Sequence, residues 1–127
     1  MKIWLLVAAG GAIGALARYI ISGWFQSGNS TFPVGTMSVN IIGSFLLGFI
    51  MYFSEYTGVF SDEIRIFITI GVLGGFTTMS TFSYESFRML EQNEFIKLSV
   101  NIIGTVLLTL CGIYLGKIMA GFAEVFT

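Results

Sequence analysis

One stretch of the chain concentrates the side chains best able to surround an ion. Residues 74–83 read GlyGlyPheThrThrMetSerThrPheSer, and five of the last seven carry hydroxyl groups. Glycine lowers helix propensity and hydroxyls offer the backbone other hydrogen-bond partners, so the run predicts an interrupted helix. Inside a membrane, irregular backbone is tolerated where it is buried in protein or lines a cavity, and its free carbonyls can hold a cation. The alternative is a kink that binds nothing.

Two further sets of polar side chains repeat at steps of four residues, which places each set in one stripe along a helix. The two sets are Thr36, Asn40 and Ser44, and Asn101, Thr105 and Thr109. Hydroxyl and amide donors in a file can replace water around a passing ion. The alternative, which the spacing alone favours, is hydrogen bonding between helices, with Gly43, Gly48 and Gly104 allowing the backbones to approach.

The composition places these residues in a membrane protein. The chain has 127 residues, of which 55% are hydrophobic and only 10% charged, too little polar surface to cover a soluble domain. A net charge of −1 without a basic cluster excludes nucleic acid as the expected partner, because binding phosphates requires a dense set of Lys and Arg. Membrane lipid is the expected surrounding.

Four apolar stretches are long enough to cross a bilayer, which takes about 20 residues of helix. They run from about 3–25, 35–53, 64–90 and 95–119, with short connections. We therefore predict an all-α membrane protein with four transmembrane helices, the third of them broken, in a single domain over residues 1–127. The first stretch continues past Arg18, so we expect it to be retained in a multi-pass protein of the cell (inner) membrane rather than cleaved as a secretory signal.

The positive charges divide evenly between the two sides of the membrane. Lys and Arg normally accumulate on the cytoplasmic side and so set the orientation. The three on the N-terminal side are Lys2, Arg65 and Lys117, and the three on the other side are Arg18, Arg88 and Lys97. The tie predicts insertion in both orientations, so that two copies can pair antiparallel as a two-fold homodimer. The alternative is that one charge outweighs the others and fixes a single orientation.

Few titratable groups lie inside the predicted spans. There is no His, and the interiors of the first, second and fourth spans hold no Asp or Glu, whereas proton-coupled transport usually requires a titratable relay. Glu85 alone could serve, or it could pair with Arg88 three residues later. Metal-ligand sets, nucleophile–base pairs and phosphate-binding loops are absent from the sequence, so we do not expect an enzyme.

A segment of the second span recurs in the fourth. Residues 38–44, SerValAsnIleIleGlySer, return as SerValAsnIleIleGlyThr at 99–105. A duplicated two-helix unit would explain the recurrence, since repeats are common in membrane folds. Chance matching in an apolar, glycine-rich chain is the alternative.

Three segments together resemble the signature segments of the CrcB/Fluc fluoride channels. They are GlyGlyAlaIleGlyAlaLeuAlaArgTyr (10–19), ProValGlyThrMetSerValAsnIleIleGlySerPheLeuLeuGly (33–48) and GlyGlyPheThrThrMetSerThrPheSerTyrGlu (74–85). The resemblance covers the chain from end to end in order and span count. It implies a fluoride-selective channel that exports fluoride passively to reduce its toxicity, built as an antiparallel, dual-topology homodimer with two pores and a structural sodium ion (Na+) at the dimer interface.

The resemblance also implies roles for individual residues. The backbone carbonyls of Gly74 and Thr77 would bind sodium, and Arg18 would draw anions into a vestibule. The residues implied for the fluoride pore are Thr36, Asn40, Met79, Ser80, Thr81, Phe82, Asn101, Thr105 and Thr109.

Met79 departs from the family pattern. The family carries a pair of phenylalanines whose positively polarised edges face the ion. Phe82 matches the second of them, but the first position is Met79. Methionine has no ring edge, so either the first ring is dispensable or this pore conducts differently. Our hypothesis is that conduction survives, with Asn40, Phe82 and the hydroxyl side chains sufficient.

Two other functions share some of these features. A dual-topology small multidrug-type exporter of organic cations would have the same size, span count and charge tie. It would require a membrane-embedded carboxylate in the first span, where this chain has Arg18. A non-transporting helical subunit that packs through glycine faces would carry no ion at all.

Overall fold

The computed structural model describes residues 2–26, 28 and 30–127, and the regular secondary structure in them is helical. In chain order the helices are α1 (Ile3–Phe25), α2 (Val34–Thr57), α3 (Asp62–Ile66), a π-helical segment (Phe67–Leu73), α4 (Gly74–Phe76), α5 (Met79–Glu91) and α6 (Phe95–Glu124). The pieces from α3 to α5 form one third span. Four spans are thus long and apolar enough to cross a membrane, as predicted. Helices α2 and α6 extend past the predicted ends at 53 and 119.

The third span is broken over a shorter stretch than predicted. Only Thr77 and Thr78 leave the helix, with ψ angles of 156° and 116°. Gly74 and Gly75 are helical, and the helix resumes at Met79, so the break occupies only the first two residues of the hydroxyl-rich run 77–83. Gly75 serves packing instead, because a Cβ there would lie 2.7 Å from the Gly11 carbonyl oxygen in α1. The π-helical segment before the break was not predicted.

Helix α1 packs against the first half of the third span, where the two backbones touch. A Cβ on Gly10 would lie 2.7 Å from the Phe67 carbonyl oxygen and 2.9 Å from the Cα of Gly71. Glycine at such crossings is typical of membrane helices, which associate through close backbone packing rather than through the hydrophobic effect.

Helix α2 packs along α6 in the same manner. A Cβ on Gly48 would lie 2.6 Å from the Ile113 carbonyl oxygen. Two of the expected packing glycines behave differently. Gly104 is open, because its nearest neighbour would be the Met37 Cε at 3.6 Å, and Gly43 lies against the third span. Only Gly48 of the three predicted glycines therefore brings α2 and α6 together.

The outer surface of the four spans is apolar. Trp24, Leu110 and Phe122 are 74%, 62% and 63% exposed. Large apolar side chains in this density are stable against lipid or a further protein surface, not against water. The chain is a multi-pass membrane protein.

Candidate functional site

A side chain from α2 closes the break in the third span. Asn40 Nδ2 donates to the Thr78 carbonyl oxygen (3.1 Å), and the Thr78 N–H donates to Asn40 Oδ1 (2.8 Å). One buried amide thus pairs with both backbone groups of a residue that has left the helix. Because unpaired backbone groups are costly in hydrocarbon, this pair makes the break tolerable at membrane depth.

Two backbone carbonyls at the break lose their helical donors. In a continuous α-helix the Gly74 carbonyl would accept from the Thr78 N–H, but that N–H donates to Asn40. The Thr77 carbonyl would likewise accept from the Thr81 N–H, which donates instead to Thr78 Oγ1 (3.2 Å). The carbonyls of Gly74 and Thr77 are therefore available to a cation, and oxygen ligands suit hard cations.

The Thr78 hydroxyl organises the start of α5. As the N-cap it accepts from the Thr81 N–H, which would otherwise lack a partner. Its Oγ1 also donates to Thr81 Oγ1 (3.0 Å) and lies 3.3 Å from Ser80 Oγ. The predicted donors Ser80 and Thr81 thus form one cluster of hydroxyls around Thr78.

A cavity of about 320 Å³ lies beside the break, and we call it the inner cavity. The predicted site residues that line it are Asn40, Gly74, Thr77, Met79, Phe82, Thr105 and Thr109. Thr105 Oγ1 is buried and makes no hydrogen bond within the described part of the chain. Thr109 Oγ1 donates back to the Thr105 carbonyl (2.7 Å). The inner cavity therefore offers the Thr105 hydroxyl, an amide and an aromatic ring.

A second cavity, of about 280 Å³, shares Thr78 with the inner cavity, and we call it the vestibule cavity. Arg18, Thr36 and Thr81 are among its lining residues. Within residues 2–26, 28 and 30–127, Arg18 forms no ion pair. An uncompensated positive charge beside a cavity raises the local concentration of anions.

Glu85 has a different partner from the one predicted. Thr36 Oγ1 donates to Glu85 Oε1 (2.8 Å), whereas Arg88 Nη1 pairs with Glu91 Oε2 (3.3 Å). Of the two possibilities that the sequence left open for Glu85, the pair with Arg88 does not form, because Arg88 has a glutamate three residues away on both sides and pairs with the later one. The Thr36 hydroxyl is consequently committed to Glu85 and can donate to another group only when Glu85 moves.

Comparison with known proteins matches nearly the whole chain. A sequence model described as "CrcB-like protein, Camphor Resistance (CrcB)" matches residues 5–117. The chain belongs to the CrcB-like family. The predicted resemblance is thereby confirmed.

Three similar relatives are named as fluoride-specific ion channels. The "Fluoride-specific ion channel FluC 3" of Methanosarcina barkeri is 57% identical over 116 residues, covering 91% of this chain and 88% of the relative. "Fluoride-specific ion channel FluC 1" of Methanosarcina acetivorans is 58% identical over 116 residues with the same coverage. "Fluoride-specific ion channel FluC" of Geobacter metallireducens is 50% identical over 115 residues, covering 90% and 93%.

Ser80 and Asn101 were expected in the pore, but neither residue lines the inner cavity or the vestibule cavity. Asn101 is 1% exposed and donates through Nδ2 to Ser86 Oγ in α5 (3.0 Å).

The two positions of the expected aromatic pair differ in burial: Phe82 is 8% exposed and held by packing, whereas Met79 is 72% exposed. The roles of all these residues in conduction stay predictions.

Two polar residues that shape the site, Thr78 and Ser86, were not singled out from the sequence, and Glu85 was considered only as a titratable relay or a partner of Arg88. Thr78 stands three residues before Thr81, which is the spacing of an N-cap hydroxyl and could have revealed its role. Glu85 and Ser86 bind partners on α2 and α6. No local pattern in the sequence indicates either of those partners.

Proposed function

We propose that this chain is a fluoride-specific ion channel that exports fluoride passively across the cell membrane and so reduces its toxicity. The observation that carries the proposal is 57% and 58% identity, over 91% of the chain, to relatives named as fluoride-specific ion channels. A channel needs no catalytic group, in keeping with the expectation that the chain is not an enzyme. The organic-cation exporter gains no support, since α1 contains no carboxylate.

The inner cavity supplies the chemistry that fluoride requires. Fluoride is small and strongly hydrated, so a pathway must replace its water with closely spaced donors. Asn40 has a second amide hydrogen beyond the one given to Thr78, and the Thr105 hydroxyl has no partner among the described residues. The edge of the Phe82 ring adds a positively polarised surface. Fluoride would enter past Arg18 and the vestibule cavity and reach these donors beside Thr78.

Met79 is compatible with conduction in this scheme. Its thioether lines the inner cavity but is 72% exposed, so it neither fills the cavity nor fixes its walls. The donors named above belong to other residues. Conduction therefore does not depend on an aromatic ring at position 79.

We further propose that the channel is an antiparallel, dual-topology homodimer. The three-to-three division of positive charge between the membrane sides supports insertion in both orientations. The exposed side chains around the break support a second chain there, because Met79 and Phe87, 72% and 58% exposed, lie on the open side of α5. A closed two-fold pair would cover both copies of this surface.

A sodium ion at the dimer interface fits the donor set at the break. The carbonyls of Gly74 and Thr77 lack their helical donors, and Gly74 is exposed. Two such carbonyls from each of two chains would give four oxygen ligands, which suit a hard cation. When bound, sodium would supply a fixed positive charge between the chains.

Flux through liposomes tests the proposed function. Purified protein is reconstituted and assayed with fluoride, with chloride and with a lipophilic organic cation. We expect electrogenic fluoride flux that does not require a proton gradient, a far smaller chloride flux, and no transport of the organic cation. Cation transport would favour the exporter, and protein that is folded yet inert towards all three would favour the non-transporting subunit.

A further inference from the structure

Helix α5 is anchored more weakly than the rest of the third span. The π-helical segment and α4 pack against α1, whereas α5 contacts only α2 and α6 among the described helices. Three side-chain hydrogen bonds tie α5 and its N-cap to α2: two join Asn40 to the backbone of Thr78, and one runs from Thr36 to Glu85. Its position relative to α6 depends on a different contact.

That contact is the hydrogen bond between Asn101 and Ser86. Asn101 Nδ2 on α6 donates to Ser86 Oγ on α5 at 3.0 Å, and the two residues are 1% and 7% exposed. It is the one side-chain hydrogen bond between α5 and α6 in the described part of the chain. Because no water reaches the amide, separating the helices would leave a buried donor unpaired, which is costly.

The pair lies one helical turn from the inner cavity on both helices. Ser86 follows Phe82 by four residues on α5, and Asn101 precedes Thr105 by four on α6. Phe82 and Thr105 both line the inner cavity, whereas Ser86 and Asn101 do not. A shift of α5 away from α6 would therefore move the Phe82 ring relative to the Thr105 hydroxyl.

We propose that Ser86 and Asn101 are positioning residues that fix the spacing between Phe82 and Thr105, and through it the discrimination of fluoride from larger halides. This inference rests on the proposed function. A closely spaced ring edge and hydroxyl can together replace water around a small anion. A looser pair admits a larger anion, so discrimination falls when the tie is lost.

The test compares fluoride with chloride flux in liposomes for Ser86→Ala, Asn101→Leu and the double variant. Ser86→Ala removes one oxygen atom and keeps a good helix former, so we expect it to fold. Each variant should lower the fluoride-to-chloride flux ratio by about tenfold. The double variant should match the single variants, because the two side chains act as one unit. Ser86→Thr, which keeps the hydroxyl, should restore the ratio.

A control and a stability measurement separate positioning from a merely structural role. Ser99→Ala removes an exposed hydroxyl from α6 and should leave the ratio unchanged. If Ser86 and Asn101 were only structural, their substitution would lower the midpoint of thermal unfolding and the amount of folded protein. The fluoride-to-chloride flux ratio would then stay at the wild-type value. That result would overturn the inference.

Two further outcomes are decisive. If Asn101→Leu fails to fold, the double variant Ser86→Asn with Asn101→Ser is used, because the exchanged side chains can still form the hydrogen bond. A wild-type flux ratio in this variant supports the inference, and a lowered ratio overturns the inference. Wild-type protein without fluoride flux would instead remove the proposed function, so the two failures are distinguishable.

Discussion

At the scale of single residues, Asn40 combines a structural contact at the break with a position in the wall of the inner cavity. Its amide pairs with both backbone groups of Thr78 and also lines the inner cavity. A residue that stabilises the break and also lines the inner cavity cannot be replaced without affecting both. Flux and stability are therefore expected to change together at this position.

Asn40→Leu should abolish fluoride flux and lower the free energy of unfolding by about 2 kcal/mol or more, because Thr78 then has a buried N–H and C=O without partners. Flux in liposomes and thermal unfolding in detergent measure the two effects. Ser44→Ala, one turn later on α2, is the matched control for stability. Unchanged flux in Asn40→Leu would remove Asn40 from the pathway.

Substitutions at Met79 and Phe82 should differ in their effect on fluoride flux. Phe82→Leu removes a packed ring and its polarised edge, so fluoride flux should fall by about tenfold. Met79→Phe adds a ring where the side chain is 72% exposed, so the protein should fold and its flux should stay within about threefold of wild type. An inert Met79→Phe channel would show that position 79 is closely packed in the assembled protein.

At the scale of helices, glycines set the distances between spans. Gly48 brings α2 against Ile113, and Gly10 and Gly71 bring α1 against the third span. The first half of the third span is held in place by its packing against α1, and the break at Thr77 and Thr78 follows directly after that packed half. The glycines therefore support the site without touching it.

Gly48→Ala should destabilise the protein by about 1–3 kcal/mol, because the new methyl group would lie 2.6 Å from a backbone oxygen that cannot move by itself. Gly121→Ala is the control on α6, where a Cβ has nothing within 4 Å. That change should leave stability equal or slightly higher, by up to about 1 kcal/mol, through helix propensity. Thermal unfolding of both variants checks the contrast; equal destabilisation would mean that the α2–α6 contact can relax.

At the scale of the whole molecule, the balance of charge is the feature that bears on assembly. Three cations pair with a carboxylate three residues away, and the pairs are Arg65–Asp62, Arg88–Glu91 and Lys97–Glu94. Exposed pairs of this kind contribute little to stability. The even count of Lys and Arg on the two sides bears instead on the proposed insertion in both orientations.

One added lysine on either side should fix the orientation. Val59→Lys adds a charge on the N-terminal side and Gln92→Lys adds one on the other, and both positions are exposed. Each variant expressed alone should give little fluoride flux, while the two expressed together should restore it, because antiparallel pairing needs both orientations. Full flux from each variant alone would contradict dual topology.

The sequence by itself determined the four spans, the approximate place of the break and the family. Hydropathy, hydroxyl content and motif order are local properties that can be read along the chain.

Only the tertiary structure decided the partners of the polar side chains and the extent of the break. Glu85 binds Thr36 rather than Arg88, and Asn101 binds Ser86 rather than facing the inner cavity. The break covers Thr77 and Thr78, and Asn40 of α2 pairs with both backbone groups of Thr78. These partners lie on other helices, so the pairing depends on which helices meet and on the depth in the membrane at which they meet.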